Sequence, residues 1–371
     1  MKGAMTIFRN IRISEFAAAF RTCYRKYNTT ENYTTTKEKV VHPYCRIHPW
    51  KSEDEFAKDL LKNIIYNKDG IIAINKPYGI PLLPGKIQQR ISPNVRKQTH
   101  KIVGALDYTV TDALPYLKSE LNVPDLIPCL GSEMYMSGVY IFGINEKIVE
   151  QLKTARHRTQ GKYRKYWVVT IRVPNEIKGN YRLAMTLKKS VLGEKKPIML
   201  TQWSNNAVKR NEVKIMNIDH KVLTNSTHNL SSLIEIQASA RKWNGVRLFA
   251  STMLYAPILG DNIHGSRIQE LMGTWLKVDP FADSCWDLPK VNKQLLDLLN
   301  VAPSKQEIIP AHIHLRSVHL IYGKEQKDIT IEAPLIDPFY WTCKQLKFKL
   351  PAEAEDSVTD NVEELASMKH T

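Results

Sequence analysis

Apolar residues in this chain recur with two different periods, and these periods mark out its elements. Phe56, Leu60, Leu61, Ile64 and Ile65 follow the spacing of one helix face. Ser52, with Glu55 three residues later, has the form of a capping box in front of them. The unbroken apolar run Ile71 to Ile74 predicts a buried strand over 70–75, and Pro77 and Gly79 mark a turn after it. Thr111 and Asp112 start a helix with Ala113, Leu114, Leu117 and Leu121 on one face. Further strands are expected over 138–143, 166–173 and 233–238, with a helix over 144–155. His312-Ile313-His314-Leu315-Arg316 opens a late strand, and its two histidines fall on the same side. The stretch 268–305 reads as an insertion with a helix over 290–299. Strands and helices are mixed without regular strand–helix–strand alternation, which predicts an α+β fold.

The ends of the chain have a different composition. The first 26 residues carry Lys2, Arg9, Arg12, Arg21, Arg25 and Lys26 against one acid, Glu15, with Ile7, Phe8, Ile11, Phe16 and Phe20 between them. An Arg-rich, acid-poor, amphipathic start is the composition of a mitochondrial presequence, assigned here to 1–27; a basic RNA-binding arm is the alternative. Residues 28–63 read as a linker and a leading helix, 64–348 as the main domain, and 349–371 as an acidic disordered tail. His42, Cys45 and His48 have a metal-like spacing, but structural zinc wants four ligands, so the segment is taken as linker and no metal is expected. The five cysteines are odd in number and scattered, which argues against a disulfide framework. No apolar run approaches the roughly 20 residues of a membrane span, so no membrane insertion is expected.

Charge adds a partner. There are 53 Lys+Arg against 37 Asp+Glu, a net +16. Such a surplus suits a polyanion, because each cation placed on a phosphate releases counterions; a generally basic protein without a particular site is the alternative. Two stretches concentrate the charge. One is 85–101, with Lys86, Arg90, Arg96, Lys97 and Lys101 in an apolar-poor loop. The other runs from Arg156 through Arg158, Lys162, Arg164 and Lys165 to Tyr166 and Trp167. Cations interleaved with aromatics there suit a phosphate groove with a stacking platform; a solvated turn beside a half-buried strand tyrosine is the alternative.

Three motifs carry a family resemblance. They are Asn75-Lys76-Pro77-Tyr78-Gly79 after the apolar strand, Ser137-Gly138 at the start of the next, and Ala256-Pro257-Ile258-Leu259-Gly260-Asp261. Together they resemble the RluA-type pseudouridine synthases over roughly residues 64 to 345. The late segment and the presequence look like the metazoan mitochondrial members. The resemblance implies a mixed, mainly antiparallel central sheet with flanking helices and a catalytic cleft. It implies isomerisation of uridine to pseudouridine in RNA, without cofactor or metal, on a base flipped out of its stack. Mitochondrial RNA is then the partner, with mitochondrial ribosome or RNA-granule proteins as further candidates, and the matrix the location.

The site residues follow from the same resemblance. The family loop reads roughly His-Arg-Leu-Asp, three residues, then Ser-Gly. Here Leu130, Gly131, Ser132 and Glu133 stand in the first four places, so Glu133 falls on the catalytic aspartate. It is either a relocated nucleophile or a surface glutamate in a degenerate loop. Tyr166 falls on the tyrosine that packs against the flipped uracil. Arg247, after Arg241 with one extra residue between them, falls on the arginine that pairs with the carboxylate, and is expected to face Glu133. Lys76, Arg156, Arg158, Lys162, Arg164 and Lys165 are the candidate RNA contacts. No phosphate-binding Gly-x-x-x-x-Gly-Lys-Ser/Thr loop, Cys-x-x-Cys pair or Gly-x-Ser-x-Gly elbow competes with this reading.

Overall fold

The structure, a computed structural model, describes residues 41–82, 103–104, 108–159, 161–239, 242–322 and 328–351. The presequence, the basic 85–101 loop, Arg241 and the tail from 352 onward lie outside the described residues. The chain divides into two units, Met1–Val41 and His42–Thr371; the elements below belong to the second.

The strands are β1 (Ile64–Lys68), β2 (Ile71–Lys76), β3 (Ile127–Gly131), β4 (Ser137–Gly143), β5 (Arg164–Val169), β6 (Lys178–Lys189), β7 (Lys195–Leu200), β8 (Lys214–Asn225) and β9 (Ser232–Ala238). They are followed by β10 (Ile268–Leu271), β11 (Thr274–Lys277), β12 (Ile313–Leu320) and β13 (Ile329–Glu332). The helices are α1 (Glu53–Lys62), α2 (Val110–Leu121), α3 (Glu146–Arg158), α4 (Asn205–Lys209), α5 (Gly245–Thr252), α6 (Lys293–Leu298) and α7 (Phe339–Gln345).

The strand order β1-β2-β4-β12-β5-β9-β8-β6-β7, with β3 added to β4 and β13 to β12, makes one large sheet, and β10-β11 forms a separate hairpin. The pairing is antiparallel except between β4 and β12, where Ser137 and Gly138 run parallel to His314 and Leu315. The fold is thus α+β with a mainly antiparallel sheet.

Alternation along the central strands feeds two layers. Ile72, Ile74, Tyr140 and Phe142 pack under α1 and α2, against Phe56, Leu60, Leu114 and Leu117. Ile71, Ala73, Val139 and Ile141 point the other way, toward Leu152 of α3 and Val246, Leu248 and Phe249 of α5. A third cluster joins Trp167, Val169 and Leu233 to α6 and α7.

The helix starts follow their caps. Ser52 Oγ accepts the Glu55 N–H at 3.2 Å, and the Glu55 carboxylate accepts from Lys51 N, one residue before the cap itself. Thr109 caps α2, its N–H bonded to Asp112 at 2.7 Å. Residues 42–50, expected as linker, lie against the fold. Tyr44 is buried with its hydroxyl 2.7 Å from Thr342, and His42 Nε2 is 2.9 Å from the Leu299 carbonyl.

The sequence reading contains none of β6, β7 or β8. Each carries charged residues along its length, and β6 buries only Leu183, Ala184 and Met185 in its middle. A 12-residue strand with so few buried positions shows little period-two signal.

Candidate active site

Glu133 sits in the tight turn between β3 and β4, and backbone bonds fix that turn. Ser132 N–H donates to Val139 O at 3.0 Å and Met136 N–H to Glu133 O at 3.2 Å. The Asn-Lys-Pro-Tyr-Gly turn after β2 clamps it from the side: Gly79 N–H donates to Met134 O at 2.9 Å, and Lys76 Nζ to Met136 O at 3.0 Å. Lys76 Nζ also donates to Pro77 O and Ile80 O, at 2.8 and 3.1 Å.

These contacts change the reading of Lys76. Its head group is buried and taken up by three carbonyls, so it does not reach RNA; it holds the Glu133 turn. Burial pushes its ammonium down to about 7.

The Ser-Gly pair has a structural reason at each position. Gly138 adopts φ +110°, in the region that favours glycine, and a Cβ there would overlap the Leu315 backbone of the parallel β12. Ser137 Oγ lies 2.8 Å from His314 Nδ1, and His314 Nε2 lies 3.2 Å from Ala333 O. His312 is similarly bonded, 2.7 Å from Thr342 Oγ1. Both histidines are buried and tie β12 to its neighbours. At Gly131, where the family loop has arginine, a Cβ would run into the Tyr140 ring.

Arg247 departs from expectation. It lies on α5 and is 3% exposed, but its ion pair is with the fully buried Asp261 rather than with Glu133. Asp261 also accepts the Ile263 and His264 N–H groups, both at 3.0 Å. Burial would raise the Asp261 carboxyl, but the Arg247 charge and these donors outweigh it and hold it at about 2.

Tyr135 connects the two halves of the cluster. Its ring centroid lies 4.5 Å from the Arg247 guanidinium carbon, and its hydroxyl donates to Asn244 Oδ1 at 2.8 Å. Burial first, then the adjacent Glu133 charge, push its phenol well above the ordinary value; Arg247 opposes this and Tyr166 adds to it. Glu133, Arg247 and Tyr166 therefore all act on one side chain. Tyr78 borders the same ion pair: burial pushes its phenol up to about 12, with Arg247 and Asp261 acting on it in opposite senses.

Tyr166 is on β5 and 3% exposed. Arg164, two residues earlier on the same face, has its guanidinium 4.6 Å from the Tyr163 ring and 5.9 Å from the Tyr166 ring. At 3% exposure Arg164 is a buried cation beside aromatic rings, not a surface phosphate contact. Lys165 is exposed and 3.9 Å from Glu235, and Lys162 pairs with Asp219. Arg156 is half-buried and Arg158 exposed, both in the last turn of α3.

The structure thus brings Glu133, Arg247 and Tyr166 around Tyr135; Arg156 and Arg158 end α3 on the Tyr166 side of the sheet, whereas Lys165, paired with Glu235, lies on the opposite face of β5. The sequence reading missed Tyr135, Tyr78, Asn244 and Asp261. Asp261 closes the Gly260-Asp261 motif, and Tyr135 is two residues past Glu133, so both were within reach. Among the described residues, no group of three or more His, Cys, Asp and Glu side chains is arranged to hold a metal ion. No described helix is long and apolar enough to cross a membrane.

No family model matches the sequence. Curated proteins do. The mitochondrial pseudouridylate synthase RPUSD4 of Danio rerio is 26% identical over 324 residues, covering 83% of this chain and 78% of the relative. Its Homo sapiens counterpart is 24% identical over 331 residues, covering 84% and 75%. Among the mitochondrial members the sequence was expected to match RNA pseudouridylate synthase domain-containing protein 3; the relatives found are RPUSD4 proteins, which overturns that expectation. Among solved structures, human RNA pseudouridylate synthase domain-containing protein 4 superposes with a TM-score of 0.57 at 20% identity, covering 80% of this chain and 98% of that one. The large sheet and its flanking helices are the pseudouridylate synthase fold.

Proposed function

We propose that this chain is an RNA pseudouridine synthase of mitochondria and that Glu133 supplies its carboxylate. The observation that carries the reading is the seat of Glu133. It lies in the β3–β4 turn ahead of Ser137-Gly138, clamped by the Lys76–Gly79 turn and one side chain away from Arg247. The extended similarity to mitochondrial pseudouridylate synthases supports the same reaction and compartment.

In this reading a uridine leaves its stack and enters beside Tyr166, and the C1′–N1 bond breaks while the carboxylate holds the separated fragments. The base turns, C5 bonds to C1′, and the proton from C5 ends on N1. Composition is unchanged, so the reaction consumes no co-reactant. Arg156 and Arg158, at the end of α3 on the Tyr166 side of the sheet, provide cations for the RNA strand. The protein works in the matrix on mRNA or rRNA, with mitochondrial ribosome or RNA-granule proteins as partners.

One observation favours a second reading, a non-catalytic RNA-binding protein. Arg247 already has a carboxylate partner in Asp261, and the His-Arg-Leu of the family loop is absent. A pseudouridine map of mitochondrial RNA from cells lacking the protein, rescued with wild type or Glu133→Gln, separates the two. A site restored by wild type alone supports catalysis by Glu133. Full rescue by the mutant, or no change at any site, supports the RNA-binding role.

A further inference from the structure

A cleft of about 690 Å³ opens beside the β10-β11 hairpin and shares no residue with the Glu133 cluster. Its walls include Pro257 and Gly265, which stand on either side of Asp261 in sequence. The volume is that of a small-ligand site.

The polar groups of the cleft are of three kinds. Arg172 stacks on Trp275, its guanidinium carbon 4.0 Å from the ring centroid, and its Nη1 is buried with no hydrogen-bond partner among the described residues. A buried guanidinium N–H left unmatched costs free energy that an acceptor on a ligand would recover. Lys290 adds a second, exposed cation. Glu270 and Asp287 also line the cleft.

We infer that this cleft binds one nucleotide unit of a single-stranded RNA, away from the nucleotide at Glu133. The ligand class follows from the mixture. A bare phosphate or a run of phosphates would be repelled by Glu270 and Asp287, and a carboxylate ligand would leave both acids unmatched. A nucleotide satisfies all of them. Its phosphate faces Arg172 and Lys290, its ribose hydroxyls and base N–H groups donate to the acids, and its base lies against Trp275 and the apolar wall of Leu230 and Leu288. The inference rests on the RNA-binding part of the proposed function and needs no catalysis.

The test is the affinity of the full chain for a labelled single-stranded, uridine-rich RNA as a function of salt. Arg172→Gln and Trp275→Ala are each expected to weaken binding about tenfold. Arg172→Gln should also lower the salt slope by about 0.7, one phosphate contact on a single strand. Lys290→Gln, at an exposed position that does not threaten folding, should weaken binding in the same direction with the same loss of slope. Thiouridine-substituted RNA should crosslink to the 268–277 hairpin in wild type and not in Trp275→Ala. Unchanged affinity in Arg172→Gln and Lys290→Gln, or weaker binding with an unchanged salt slope, overturns the inference. The two readings fail separately. If wild type forms no pseudouridine but these variants still lose affinity, the subsite stands and the enzyme does not. If Glu133→Gln abolishes modification while Arg172→Gln binds RNA normally, the reverse holds.

Discussion

Arg247 and Asp261 form an ion pair that is almost wholly withdrawn from water. Neither partner can be removed alone without stranding the other. Asp261→Asn is expected to destabilise the protein by about 3–5 kcal/mol, read as a shift in the urea midpoint. The pair also sets an acid limit. The Asp261 carboxyl is held at about 2, below its ordinary 3.8. A depressed folded-state value gives stability that is complete above the unfolded value and fades as pH falls toward 2. Wild type should therefore lose stability between about pH 4 and pH 2 more steeply than Asp261→Asn.

Tyr135 supplies both a ring and a hydroxyl, and two substitutions separate them. Tyr135→Phe keeps the ring over Arg247 and loses the bond to Asn244. A loss of about 1 kcal/mol is expected in denaturant unfolding, the net worth of one such bond. Tyr135→Ala also uncovers Arg247 and should cost more than Tyr135→Phe in both stability and pseudouridine formation.

Lys76 predicts an effect of the same sign in the alkaline range. Its ammonium is pushed down to about 7 by burial, from an ordinary 10.5. Between these values the unfolded chain binds a proton that the folded chain does not, so stability rises with pH. Wild type should gain stability from pH 7 to about pH 9, before the tyrosines titrate. Lys76→Met should be less stable throughout, through three lost hydrogen bonds, and should lack that rise.

Gly138→Ala tests the join between β4 and β12. Alanine at φ +110° is strained by itself, and its methyl would overlap the Leu315 backbone. A loss well above about 1 kcal/mol is expected, with most of the protein insoluble on expression.

How much of this was legible in the sequence depended on how cleanly each residue met one demand. The buried strands β2 and β4 were legible from their apolar runs, and α1 from its Ser52 cap and apolar period, although Ile64 and Ile65, expected on that helix, open β1 instead. Helix α2 was found by its apolar face, but it starts at Val110 behind a Thr109 cap and not at Thr111. The β6–β8 strands were not legible, since charged and polar residues fall along them and their buried positions are few. At the site, position within a motif located Glu133, Tyr166 and Arg247 but could not assign their partners. Asp261 competes with Glu133 for Arg247, and only the packing of α5 against the 257–267 segment decides between them. Lys76 and Arg164 look like surface cations in a list of residues. Burial, which no charge count contains, converts them into a clamp and a buried cation.

The parallel contact between Ser137 and His314 joins positions 177 residues apart. Closing so long a loop is entropically unfavourable and kinetically slow. The turn that carries Glu133 leads into β4, whose β12 neighbour comes from the last sixth of the chain. The carboxylate thus acquires its surroundings only after nearly the whole polypeptide has been made and has arrived. A chain cut short before residue 312 would keep the loop and its motif but lose the strand that joins Ser137-Gly138 to β5, leaving one side of β5 as an unpaired strand edge, open to aggregation instead of chemistry.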